Sequence, residues 1–286
     1  MNARKKIGIV GAGMMGSEIA LCFARVGYLV SIKDATLELA EKGLANVSRV
    51  LDKSLKKGKI TEDEKVEIIS CLMPTDNYGD LSDADLVIEA VFEDETLKKQ
   101  IFSDLDTVCK ADCIFATNTS SISVTILSTA VRKERIGQFL GMHFFSPASV
   151  MKLVEVIPGI DTQNETVDIV MNILRSIGKE PIRVKDVTGF AVNRIFHAML
   201  IETCRLLEEE VASAEDIDKA CKLGLGHPMG PFELMDILNN ALNLEVEEIL
   251  CNTYGERFRP RPNLKQRVAA KHLGRVTQRG WFDYSK

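Results

Sequence analysis

Two hydrophobic patterns alternate along the first two-thirds of the chain. Short apolar runs occupy residues 6–10, 28–32, 85–91, 113–116, 136–145 and 151–157. Stretches with apolar residues at helical spacing separate them, among them residues 37–57 and 95–108. Continuous apolar runs of this length are typical of strands that are buried on both faces of a parallel sheet. The alternation predicts an α/β fold, and we expect residues 183–184 to close the sheet.

From about Asp186 onward the pattern becomes helical. One long helical pattern begins at residues 187–190 and continues through Glu209, and Ser213 has the character of an N-cap. Further helical runs cover residues 215–222, 231–239 and 244–252. We therefore predict two domains: a Rossmann-type doubly wound domain over residues 1–185, and an all-α domain over residues 186–286.

A glycine motif, Gly11-x-Gly13-x-x-Gly16, lies between the first apolar run and the first helical pattern. This order of strand, glycine turn and helix is typical of dinucleotide-binding domains. Gly11 permits a tight turn, Gly13 lets the backbone approach a pyrophosphate, and Gly16 lets the helix pack closely on the strand. The amides of Met14 and Met15 then lie at a helix N-terminus, where backbone N–H groups bind phosphates.

Asp34 ends the second apolar run and completes this pattern. A carboxylate at this position accepts hydrogen bonds from ribose hydroxyls and repels a 2′-phosphate. No arginine follows in Ala35-Thr36, although Lys33 is adjacent. The sequence thus favours NAD over NADP as the cofactor.

The composition excludes several classes of protein. The chain has 286 residues, is 45% hydrophobic and carries a net charge of −5, which argues against a nucleic-acid or membrane-surface partner. No apolar run approaches the length of a membrane span. Seven scattered cysteines complete no metal-binding pattern, so we expect no metal site. We also expect these cysteines to be reduced thiols in a cytoplasmic protein.

The most informative histidine for catalysis is His143, one of four in the chain. Hydride transfer from an alcohol requires a base for the hydroxyl proton, and histidine has an ordinary pKa of about 6.5. His143 lies near the end of an apolar run, and Glu155 lies within the next one. If these runs pair, Glu155 can accept a hydrogen bond from the imidazole. The residues alone leave open a core histidine with a structural carboxylate.

Several long motifs, in order, resemble those of the short-chain L-3-hydroxyacyl-CoA dehydrogenases, a family that includes bacterial 3-hydroxybutyryl-CoA dehydrogenases. The resemblance runs nearly end to end. The motifs are His143-Phe144-Phe145-Ser146-Pro147, Glu89-Ala90-Val91-x-Glu93, Asn118-Thr119-Ser120-Ser121, Gly189-Phe190-x-Val192-Asn193-Arg194 and Gly280-Trp281-Phe282-Asp283-Tyr284.

This resemblance implies roles for individual residues. His143 would be the general base, Glu155 its orienting partner, and Ser120 a donor to the substrate oxygen. Asn193 would hold the acyl group, and Ser146 would contact the substrate. Lys57 would bind the CoA phosphates. The cofactor would be bound by Glu93, Lys98 and Asn118. The family also implies a homodimer formed through the second domain, a role in fatty acid metabolism, and reversible NAD-dependent oxidation of a 3-hydroxyacyl thioester.

The chain departs from the family pattern near the expected substrate path, at Ser146, at Pro147-Ala148-Ser149 and at Val50. Ser146 stands where the family usually has asparagine, and Val50 stands where a polar residue is common. An acyl carrier protein thioester therefore remains an alternative to acyl-CoA. Two further alternatives are a dehydrogenase of free hydroxy acids, for which no arginine clamp lies near His143, and a non-catalytic NAD(H)-binding protein.

Overall fold

The computed structural model describes residues 5–285 and divides the chain into two compact units, Met1–Val187 and Thr188–Lys286. The division falls at Val187, whereas the change of sequence pattern suggests 185. The first unit contains the sheet, and the second is helical. No helix within the described residues is long and apolar enough to cross a membrane.

The sheet of the first unit has eight strands in the described residues. They are β1 (Lys6–Val10), β2 (Leu29–Lys33), β3 (Leu72–Thr75), β4 (Leu86–Glu89), β5 (Ile114–Thr117), β6 (Phe139–Phe144), β7 (Leu153–Pro158) and β8 (Glu180–Arg183). Their order is β3-β2-β1-β4-β5-β6-β7-β8. All neighbours are parallel except β6 and β7, which are antiparallel. The predicted Rossmann-type doubly wound fold is therefore confirmed.

Seven α-helices accompany the sheet in the part of the first unit that the structure describes. They are α1 (Met14–Ala24), α2 (Leu37–Lys56), α3 (Glu62–Ser70), α4 (Glu95–Val108), α5 (Val124–Ser128), α6 (Lys133–Ile136) and α7 (Asn164–Ser176). The main core cluster lies around β1, β2 and α1 and includes the fully buried Ile9, Ile19 and Phe23. The edge strand β3 was not predicted, because the sequence Leu72-Met73-Pro74-Thr75 is short and contains a proline, which an edge strand tolerates.

The second unit contains five helices in its described part. They are α8 (Val192–Glu208), α9 (Ala214–Gly224), α10 (Pro231–Leu238), α11 (Asn240–Tyr254) and α12 (Pro262–Ala269). The helix predicted to begin at residues 187–190 begins at Val192 instead, because Gly189 and Phe190 both have positive φ angles, 73° and 44°. The Ser213 hydroxyl caps α9 by accepting from the Asp216 amide, as predicted. A core that includes Leu200 and Phe232 lies between these helices.

One edge of the sheet collects the segments that carry the candidate site. The parallel strands β1, β4, β5 and β6 all end at this edge, where ligands of open α/β folds bind. The glycine loop follows β1, the turn with Glu93 follows β4, and Asn118 follows β5. Strand β7 runs back antiparallel to β6, so that His143 and Glu155 are direct register partners.

Candidate active site

The glycine loop after β1 has the shape that a pyrophosphate requires. Gly11 has a φ of +100°, and a Cβ on Gly16 would lie 1.7 Å from the Gly11 carbonyl oxygen. A Cβ on Gly13, in contrast, would meet nothing within 4 Å. Gly11 and Gly16 are therefore required by the fold itself, whereas Gly13 leaves open space above the loop. The first amides of α1 have no partner within the helix, and a phosphate at this loop would supply one.

Asp34 holds the glycine loop in place through hydrogen bonds to the backbone. Its Oδ2 accepts a hydrogen bond of 2.7 Å from the Ala12 amide, and its Oδ1 accepts one of 2.7 Å from the Ala35 amide. The carboxylate lies just beyond the end of β2, beside the glycine loop that follows β1. These residues fit NAD, because the loop is open for a pyrophosphate and a carboxylate stands at its side.

His143 and Glu155 form a buried hydrogen-bonded pair. The distance from His143 Nδ1 to Glu155 Oε2 is 2.8 Å. The side chain of Glu155 is fully buried and that of His143 is 9% exposed. A buried carboxylate is costly unless it is hydrogen-bonded, and here the imidazole supplies the bond. The contact expected from the pairing of the two apolar runs is therefore present.

Glu93 organises the turn that carries Ser120. One oxygen, Oε1, accepts from the Ser120 amide at 2.9 Å, the Ser121 amide at 2.8 Å and the Thr119 hydroxyl at 2.6 Å. Burial alone would raise the pKa of Glu93, but the Lys98 charge and these hydrogen bonds outweigh it and lower the pKa to about 2. The carboxylate is thus held ionised at the centre of the turn.

Lys98 lies behind Glu93 and is fully buried. Its ammonium lies 2.7 Å from Glu89 Oε1 and 3.3 Å from Glu93 Oε2. Glu89, also fully buried, accepts from the Val91 amide and the Thr117 hydroxyl, each at 2.7 Å. Lys98 thus connects strand β4 with the Ser120 turn. Glu89 was not among the predicted site residues, although a carboxylate inside an apolar run was a signal that could have identified it.

The remaining predicted residues lie in three places. The Asn118 Oδ1 accepts from the Phe144 amide at 2.8 Å, which ties β5 to the residue after His143. Ser146 is exposed just beyond β6, and Lys57 is exposed at the end of α2. Asn193 lies in the first turn of α8 and belongs to the second unit. The sheet edge therefore brings together the glycine loop, the Ser120 turn and the His143 pair.

Comparison with known proteins agrees with this geometry. Residues 6–187 match the NAD-binding domain of 3-hydroxyacyl-CoA dehydrogenase, and residues 189–284 match its C-terminal domain. The chain belongs to the 3-hydroxyacyl-CoA dehydrogenase family. It is therefore an NAD-dependent dehydrogenase, and the cofactor that the glycine motif and Asp34 predict is confirmed.

Full-length relatives of this dehydrogenase family are similar in sequence and in structure. A 3-hydroxybutyryl-CoA dehydrogenase from Clostridioides difficile is 42% identical over 282 residues, which covers 98% of this chain and 100% of that protein. The mitochondrial hydroxyacyl-coenzyme A dehydrogenase of Mus musculus is 38% identical, covering 98% of this chain and 91% of that protein. The solved structure of (S)-3-hydroxybutyryl-CoA dehydrogenase from Ralstonia eutropha has a TM-score of 0.95 at 40% identity, covering 99% of this chain and 100% of that one.

Proposed function

We propose that this dehydrogenase reversibly oxidises a short-chain 3-hydroxyacyl-CoA, such as 3-hydroxybutyryl-CoA, to the 3-oxoacyl-CoA. The observation that carries the proposal is the buried hydrogen bond between His143 and Glu155 at the edge of the sheet where the NAD loop lies. The full-length similarity to two proteins named 3-hydroxybutyryl-CoA dehydrogenase supports this choice of substrate.

In this mechanism His143 acts as the general base. The imidazole takes the proton of the substrate 3-hydroxyl, while Glu155 holds Nδ1 and stabilises the imidazolium that forms. Bound NAD supplies the acceptor for the hydride from C3. In the reverse direction the imidazolium returns the proton to the 3-oxo oxygen.

Two further residues would bind the substrate. Ser120 would donate a hydrogen bond to the substrate oxygen, from a turn that Glu93 holds in place. Asn193, in the first turn of α8, would hold the acyl group, as the family resemblance implies. Glu93, Lys98 and Asn118 would shape the cofactor end of the site.

The test is an absorbance assay of NADH oxidation with acetoacetyl-CoA. We expect turnover with NADH and little with NADPH. Absence of turnover in a protein that binds NADH would favour a non-catalytic NAD(H)-binding protein instead. Turnover of a free 3-oxo acid in place of the thioester would favour a dehydrogenase of hydroxy acids.

A second candidate substrate is a hydroxyacyl group on an acyl carrier protein. Helix α2 presents Arg49, Lys53 and Lys56 to solvent, and Lys57 follows directly. These basic side chains near the end of the helix suit the phosphates of CoA, and they suit an acidic carrier protein equally well. The two are separated by measuring kcat/KM for acetoacetyl-CoA and for a carrier-protein thioester, in the wild type and in Ser146→Asn. If Ser146 makes room for a different carrier, Ser146→Asn lowers activity on the native substrate and leaves NADH binding unchanged.

A homodimer and a cytoplasmic location complete the proposal. The second unit exposes several large apolar side chains, including Ile195 at 72%, Leu223 at 79% and Val276 at 72%. A dimer formed through the second unit, as the family resemblance implies, would cover exposed apolar side chains of this kind. Light scattering after gel filtration tests the dimer, and fractionation of the native cell tests the location.

A further inference from the structure

Lys179 is a buried lysine in the first unit that takes no part in the mechanism described above. It follows Gly178, whose φ is 76°, in the turn between α7 and β8, and it is 7% exposed. Within residues 5–285 its ammonium donates to main-chain carbonyls, and no carboxylate forms an ion pair with it. Burying an ammonium group costs stability unless hydrogen bonds compensate it, and the carbonyls bonded to Lys179 provide this compensation. A lysine at this buried position therefore has a structural role.

Both carbonyls belong to the segment of residues 145–152, which joins β6 to β7. The Lys179 Nζ donates to the Ala148 carbonyl and, at 2.9 Å, to the Met151 carbonyl. Ala148 is 1% exposed, whereas Ser146 in the same segment is exposed. The ammonium therefore holds this segment from its buried side and leaves the side of Ser146 open.

Helix α1 holds the same segment by two longer contacts. The Cys22 thiol donates to the Ala148 carbonyl at 3.4 Å, and the Ser149 amide donates to Glu18 Oε2 at 3.4 Å. The amide contact is at the long end of hydrogen bonding and a thiol is a weak donor, so the Lys179 ammonium is the strongest donor of the group. It is also the only charged donor that the described residues direct at these carbonyls.

We propose that Lys179 is a positioning residue for substrate binding, one that sets the conformation of segment 145–152 and with it the place of Ser146. The proposal rests on the function proposed above and on the role in substrate binding that the family resemblance implies for Ser146. The segment also joins the two strands that carry His143 and Glu155. The side chain of Lys179 acts through the backbone and does not touch the substrate.

The experiment compares Lys179→Met, which keeps the length and apolar stem but removes the donors, with Lys179→Arg, which keeps them. Lys185→Met, at an exposed lysine nearby, is the matched control. Hydrogen bonds from a charged donor are strong, so we expect Lys179→Met to raise the KM for acetoacetyl-CoA roughly five- to twenty-fold. We expect a change in kcat of less than about three-fold, an unchanged Kd for NADH by fluorescence titration, and partial rescue by Lys179→Arg.

The outcomes separate this inference from the function on which it rests. If the wild type does not turn over acetoacetyl-CoA, the proposed function fails. If the wild type is active and a folded Lys179→Met retains its KM, only the role of Lys179 fails. The proposal would also be overturned if KM rose while kcat, NADH affinity and melting temperature all fell in parallel. Lys179 would then merely support the fold. Lys179→Gln provides a milder variant, and failure of both variants to fold counts against the proposal.

Discussion

Each of the two units contains a buried histidine beside a buried glutamate. In the first unit His143 and Glu155 lie on adjacent antiparallel strands, and their nearest atoms are 2.8 Å apart. In the second unit His197 on α8 and Glu247 on α11 lie 3.7 Å apart, beyond hydrogen-bonding distance. The residue types and the degree of burial are alike, so the difference lies in the geometry that each backbone imposes.

The two glutamates differ in how well their carboxylates are satisfied. Neither oxygen of Glu247 has a hydrogen-bond partner among residues 5–285, and neither has the Nδ1 of His197. Burial raises the pKa of Glu247, and the nearby imidazole only partly opposes this. Glu155, in contrast, receives the bond from His143. A paired strand register places two side chains within hydrogen-bonding distance, whereas two packed helices have brought them merely close.

Replacing each histidine tests most directly whether only the pair in the first unit contributes to catalysis. We expect His143→Gln to lower kcat by about 10²–10⁴, because a general base contributes that much to a proton-transfer step. His197→Gln should retain kcat within about three-fold, because Glu247 is too far from His197 to hold its imidazole by a hydrogen bond. Turnover of acetoacetyl-CoA with NADH measures both, and NADH affinity should be unchanged in each. Near-normal turnover by His143→Gln would place the base elsewhere.

Replacing the glutamates sharpens the same comparison. Glu155→Gln should lower kcat by roughly 10–100-fold, since a neutral amide no longer stabilises the imidazolium. It should also shift the pH dependence of kcat, which a loss of packing alone would not do. Glu247→Gln should change neither the rate nor its pH profile. Equal effects of the two variants would mean that the hydrogen bond in the first unit has no special role.

Much of the fold could be predicted from the sequence because its signals are local. The periodicity indicated α4 over residues 95–108, and the structure has it at Glu95–Val108. The end of the connection before α8 could not be predicted, because the positive φ angle of Phe190 is adopted against the preference of its side chain. The edge strand β3 was missed because its four residues carry no pattern of their own.

The site could be predicted less completely than the fold. The sequence made the contact of His143 with Glu155 conditional on the pairing of the two apolar runs, and β6 and β7 do pair in the register that brings these residues together. The ion pairs of Lys98 with Glu89 and Glu93 were not predicted, because the distances among these side chains depend on the fold of the turn between β4 and α4. Asn193, Lys57 and Ser146 remain predictions from the resemblance, since no contact in the described residues assigns them a ligand.

Glu93 extends the comparison to a carboxylate that is rich in hydrogen bonds. Its pKa of about 2 lies below its ordinary value of 4.5, so its stabilising effect is present above about pH 4.5 and is lost as the pH falls toward 2. We expect Glu93→Gln to lower kcat/KM for acetoacetyl-CoA about ten-fold, because an amide cannot accept the hydrogen bonds of the Ser120 turn equally well.

The control for Glu93 is Glu95→Gln, at an exposed position in the first turn of α4. We expect this variant to behave as the wild type. The Kd for NADH distinguishes two roles of Glu93. A loss confined to the acyl substrate supports the role of holding the Ser120 turn, whereas a matching loss of NADH affinity would contradict it and favour direct contact with the cofactor.

The smallest expected effect is on stability, and it comes from Glu247. Because its pKa is raised, the native state binds more protons than the unfolded state between the ordinary value of 4.5 and the raised value. The free energy of unfolding therefore falls as the pH rises through that window. Glu247→Gln removes this loss, and we expect its melting temperature to exceed that of the wild type by roughly 2–5 °C at pH 8.

The dependence on pH tests the cause of this stabilisation. The difference between Glu247→Gln and the wild type should shrink as the pH falls toward 4.5, because the wild-type carboxyl is then protonated as well. Glu248→Gln, at the exposed neighbouring position, should show no such trend. If Glu247→Gln melts below the wild type at every pH, the His197 pair stabilises the second unit despite its 3.7 Å separation, and the contrast between the two pairs would then lie in catalysis alone.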